Sequence, residues 1–127
     1  MNSYRTAGEA RRQTVRGLAA ARELAAKPDT PAVELTRAAR LLAICEPAEL
    51  RDPEAAARYA ERAVELTNGA DAYALDTLAE AQLQSGDREA ARAAIERGLQ
   101  LVPPAAPGRP APWLRRLLEA KLARLKK

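Results

Sequence analysis

Residues Asp52 to Leu66 read DPEAAARYAERAVEL, and residues Asp87 to Leu101 read DREAARAAIERGLQL. Seven of the fifteen aligned positions are identical: Asp52/Asp87, Glu54/Glu89, Ala55/Ala90, Ala56/Ala91, Glu61/Glu96, Arg62/Arg97 and Leu66/Leu101. Most of the others exchange one small or apolar residue for another. The two copies are 35 residues apart. A period of that size predicts stacked helical hairpins, each covering the apolar side that its neighbour leaves bare.

The rest of the chain agrees with this period. Thr6 with Glu9 forms a capping box, so a first helix is expected over 7–27, ended by Pro28. Thr30-Pro31 is read as N-cap and first helical residue of a second helix, 31–45. After the connector 46–52, Asp52-Pro53 repeats that pair and opens a third helix, 53–67. Asn68-Gly69 supplies a left-handed stop. Asp71 opens a fourth helix, 72–85, Ser85-Gly86 ends it, and Asp87 caps a fifth, 88–102. Five of the ten residues from Pro103 to Pro112 are proline, which excludes a helix there. A last helix is expected over 112–125, with Leu114, Leu117, Leu118, Lys121, Leu122 and Leu125 as its stripe.

Composition points the same way. Alanine makes up about a quarter of the 127 residues, and there is no Phe, one Trp and three Tyr. Alanine has the best helix propensity and lets helices approach closely, whereas the β-branched and aromatic residues that favour sheets are scarce. The length is enough for one domain with a modest core.

The stretch 72–103 resembles a tetratricopeptide repeat. Leu75, Leu78-Ala79, Gly86, Ala91, Ile95, Gly98 and Pro103 fall on that pattern's large, small, turn and closing positions. Leu75 stands where the family prefers Trp, and Gln82 where it prefers Tyr. The preceding repeat is more divergent, with Leu42-Ala43, Ala56, Ala60, Ala63 and Val64 in the corresponding places. The stretch Leu41 to Ala56 further resembles a repeat variant near the C-terminal ends of large bacterial signalling proteins, eukaryotic-like serine/threonine kinases among them. The resemblance implies an all-α superhelix of about six helices, a tetratricopeptide-like solenoid in a single domain. Its parts would be an N-terminal capping helix (7–30), repeats at 31–67 and 70–103, a Pro-rich linker (104–111) and a C-terminal capping helix (112–127). It also implies a concave groove lined by Arg37, Arg40, Leu41 and Ile44 from the first repeat. The second repeat would add Tyr73, Asp76, Thr77, Glu80 and Gln84.

The expected function is protein–protein interaction, a peptide or partner helix lying in that groove. A structural or oligomerisation role in a larger bacterial signalling protein is the alternative. No enzyme is expected. Without histidine there is no His-based triad, general base or metal site, and one cysteine makes no thiolate cluster. No catalytic, cofactor-binding or metal-binding residue is therefore assigned. Asp52 and Asp87 read as helix caps and Cys45 as a small core residue. Net charge is +4, concentrated in residues 1–27 and 113–127. Basic ends read as solvated helix faces, and no nucleic-acid partner is expected. No apolar run approaches a membrane span, and the N-terminus has no signal-peptide core, so a cytoplasmic location is expected for a chain that could be part of a longer protein. Asp76 and Glu80 should make the groove prefer basic or neutral segments. Trp113 reads as a packing anchor or, in the alternative, a hot spot for a partner. The apolar stripe of the last helix has two possible seats: the helix 88–102 of the same chain, across Ile95, Leu99 and Leu101, or that of a second molecule. The chain would be a monomer in the first case and a homodimer in the second.

Overall fold

The computed structural model describes residues 6–109 and 111–126, and these are helical with no strand. Six α-helices follow one another: α1 Ala7–Ala26, α2 Ala32–Ile44, α3 Pro53–Leu66, α4 Ala72–Ser85, α5 Arg88–Leu101 and α6 Trp113–Arg124. A single turn of 3-10 helix, Ala48–Leu50, lies in the α2–α3 connector.

The caps explain most of these boundaries. The Thr6, Asp52 and Asp87 side chains each accept a hydrogen bond from the backbone N–H three residues on, at 3.1, 3.1 and 3.2 Å. Asp71 accepts from Tyr73 and Ala74 at the start of α4. Asn68 and Gly69 both have positive φ, and the Gly69 N–H closes onto the Val64 carbonyl at 2.8 Å, ending α3. Gly86, at φ 86°, ends α4.

Thr30 departs from expectation. It does not cap α2: Pro31 holds the N-cap position, extended and with no side-chain bond. The Thr30 hydroxyl donates instead to the carbonyls of Leu24, at 2.6 Å, and Lys27, at 3.0 Å. It adds a further donor to carbonyls at the end of α1 that the Lys27 and Thr30 N–H groups also reach.

Consecutive helices pack on each other from α1 to α5, and α2 also touches α4 directly. Across the linker, α6 lies on both α5 and α4. The core between them is largely alanine, with Ala25, Ala39, Ala56, Ala60, Ala63, Ala74, Ala79, Ala81 and Ala91 fully buried. Such small contacts allow close helix approach. Larger side chains fill the remaining space: Leu35, Leu42, Leu75, Ile95 and Leu118 are fully buried. Each contributes about 2 kcal/mol relative to an exposed side chain.

Two arginines of the sequence repeat hold helix ends together. Arg62 of α3 donates to the carbonyls of Ala25 and Lys27 at the end of α1. Arg97, its counterpart on α5, lies against Gly69 just beyond the end of α3. Each thus reaches the terminus of the helix two before it.

Candidate functional site

The nine groove residues expected from sequence lie on the two neighbouring helices α2 and α4, and they divide into two sets. Arg40, Tyr73, Asp76, Thr77, Glu80 and Gln84 form one connected cluster with α6. Arg37, Leu41 and Ile44 stand apart on an uncovered strip of α2.

The cluster is centred on Asp76, which is fully buried. A buried carboxylate needs compensating charge. Asp76 receives it from two helices: Arg40 of α2 at 2.7 Å and Lys121 of α6 at 2.8 Å. Arg40 also donates to the Thr77 hydroxyl at 2.8 Å, and its guanidinium lies 4.4 Å from the centre of the Tyr73 ring. Thr77 in turn donates to the Tyr73 carbonyl at 3.0 Å. Trp113, at the start of α6, meets the Tyr73 ring edge-on with 6.1 Å between centroids. One turn further along α4, Glu80 accepts from Gln84 and Arg124, each at 2.9 Å, with Lys121 at 3.7 Å. Burial alone would raise the Glu80 carboxyl, but Gln84, Arg124 and Lys121 together outweigh it and hold it below the usual carboxylate range.

The seat of α6 on α5 is apolar and equally close. Leu118 packs on Gly98, where an added Cβ would stand 3.0 and 3.2 Å from its methyls. Arg115 donates to the carbonyls of Leu99 and Val102, and Arg88 to that of Leu125. Of the contacts expected under α6, Ile95 is fully buried and Leu99 partly so, while Leu101 stays exposed. Leu101 lies more than about 100° around α5 from Ile95 and Leu99, off the face that α6 covers.

Arg37 and Leu41 of the second set border an open trough between α1 and α2, and Ile44 lies outside it. Gly17, Ala20, Ala21 and Leu24 of α1 and Ala38 and Leu41 of α2 line a hollow of about 340 Å³, with Glu34 and Arg37 at its rim. A second hollow of about 390 Å³ shares Gly17 and Leu41 and runs on to Cys45 and Glu46. Arg37 is exposed, and Leu41 and Ile44 are 37% and 45% exposed.

Other titratable groups are taken up by structure. Asp52 caps α3 and meets Arg22 at 3.2 Å; burial pushes its carboxyl up, but the Ala55 amide and Arg22 more than reverse that, and it lies below its usual value. Cys45 is buried, and its thiol is pushed up by that burial, with Arg51 opposing only in part. A raised thiol is a poor nucleophile. Among the described residues, no group of three or more His, Cys, Asp or Glu is placed to hold a metal ion. Nor is any described helix long and apolar enough to cross a membrane.

Lys121, Arg124 and Trp113 were not among the expected site residues. The signal for Lys121 was present: one lysine interrupts an otherwise leucine stripe. No family model, curated protein or solved structure matches the chain.

Proposed function

We propose that this chain is a non-catalytic protein–protein interaction module built as a short tetratricopeptide-like solenoid. In this reading α2–α3 and α4–α5 are its two repeats, α1 and α6 cap it, and α2 and α4 line its inner face. The observation that carries the reading is the way α6 sits on that face. A basic, leucine-striped helix delivers Lys121 and Arg124 to Asp76 and Glu80, with Leu118 beside them. The face therefore has the shape and charge to hold a helix of that kind, and α6 is the occupant within the same chain. A partner segment would be recognised by the same chemistry, apolar residues at helical spacing with lysine or arginine facing the two carboxylates.

The reading is tested by loosening α6 in the full chain with Lys121→Glu and Arg124→Glu, then titrating a labelled peptide of residues 111–127. Anisotropy should rise saturably with this peptide and not with a version whose lysines and arginines are replaced by glutamate. Equal binding of both, or of neither, would contradict the proposal.

A structural or oligomerising role is favoured by a separate observation, the uncovered face of α1 and α2.

A further inference from the structure

The two ends of the helix stack are finished differently. Counted from their caps Thr6, Asp52 and Asp87, the small residues Gly17, Ala63 and Gly98 all fall at the same position, as do Arg16, Arg62 and Arg97 just before them. By this register α1 is the equivalent of α3 and α5, the second helix of a hairpin. α3 and α5 each have a first helix beside them, α2 and α4. None of the described helices takes that place beside α1.

The same gap appears on α2. Aligning Leu42-Ala43 with Leu78-Ala79 sets Arg37, Ala38 and Leu41 against Tyr73, Ala74 and Thr77 of α4. On α4 this surface is covered by α2: Arg40 stacks on Tyr73 and bonds Thr77, and Ala74 is fully buried. On α2 it is bare. Val33, at 57% exposed, extends the strip of Arg37, Leu41 and Ile44 at helical spacing.

We propose that this face is a two-fold interface between two copies of the chain, α2 lying antiparallel on the partner's α2. The choice of a second copy over a foreign helix rests on charge. Glu34 and Arg37 stand one turn apart at the rim of the trough. Antiparallel pairing centred between them sets Glu34 of each copy against the partner's Arg37, so the surface complements itself, as a closed two-fold interface must. The same register lays Leu41 over the Leu24 end of the opposite trough. Gly17, Ala20 and Ala21 leave room there for a close approach. The inference rests on reading α1 and α2 as the open end of a repeat stack. It is independent of what binds at Asp76 and Glu80.

Sedimentation velocity over a concentration series tests it on the full chain. The parent should pass from monomer to dimer. Glu34→Arg alone and Arg37→Glu alone should each weaken dimerisation by about tenfold or more, because like charges then meet twice across the axis. The double variant Glu34→Arg/Arg37→Glu should dimerise as the parent does, and an equimolar mixture of the two single variants should form a heterodimer. Arg37 is exposed and Glu34 partly buried, and an unchanged circular dichroism spectrum verifies folding. A parent that stays monomeric throughout the series would overturn the proposal. So would single variants that dimerise as well as the parent, or a double variant that fails to recover. The peptide titration uses α4 and α6, so failure of the dimer leaves that experiment, and the reading it tests, untouched.

Discussion

The α4–α6 side and the α1–α2 side of this molecule are built from the same kind of helix and end in opposite states. On α4 every expected groove residue is engaged: Asp76 and Glu80 hold the cations of α6, and Tyr73 lies between Arg40 and Trp113. On α2 the corresponding strip is leucine, isoleucine, valine and a single arginine, with small residues behind it. Among the described residues the two sides differ in what covers them. One is closed by a helix tethered through a proline-rich linker, which keeps it at high effective concentration. The other is left apolar and open.

The largest contrast should come from charging each side. Leu118→Asp removes a fully buried side chain and puts an unpaired charge into the seam over Gly98, and it should lower stability in urea unfolding by about 4 kcal/mol. Leu41→Asp, on the open strip, should change the monomer's stability, measured below the dimerising concentration, by about 0.5 kcal/mol or less. Similar losses from both would abolish the distinction. Next in size is Asp76→Asn, which leaves Lys121 and Arg40 facing an amide. Lys121 is almost wholly buried, so the loss should be about 3 kcal/mol. A double-mutant cycle with Lys121→Met should show that the two positions are coupled.

Acid should act at Glu80 on the closed side as well as at Asp52, where α3 meets Arg22 of α1. The Glu80 carboxyl lies below its usual 4.5 in the folded chain. Its stabilising effect is therefore complete above the unfolded value and is lost as the pH falls from about 4.5 through the folded one. Glu80→Gln should flatten that part of the stability–pH curve, and an unchanged curve would remove Glu80 from the account. A smaller effect than at Asp76 is expected at Thr30. Thr30→Ala deletes two bonds to the end of α1 and should cost about 1 kcal/mol. Asp87→Ala, a true N-cap, should cost about the same.

Thr30 also marks where sequence reading stops. Its Thr-Pro pattern matched Asp52-Pro53, and a local rule could not separate them. What decides is that the Thr30 hydroxyl turns back to the last turn of α1, three and six residues earlier, and not forward onto α2. The helices themselves were legible because caps, stops and a 35-residue period agree at most boundaries. The division of the groove was not. Asp76 reads as a surface carboxylate on α4, and nothing local shows that Lys121 will meet it from the far side of a proline-rich linker. The roles of Arg62 and Arg97 were visible only as an identity in the repeat. Gly98 was placed by pattern, and its reason is Leu118.

The central claim is that α6 is an integral occupant of the α4 face. Native-state hydrogen exchange of the full chain tests it most directly, since protection reports the free energy of local opening. The account predicts that the amides of Leu118, Lys121 and Leu122 exchange about as slowly as those of α4, while those of Ala105, Ala106 and Gly108 in the linker exchange freely. Exchange of the α6 amides at the rate of an isolated helix, with α4 still protected, would contradict it.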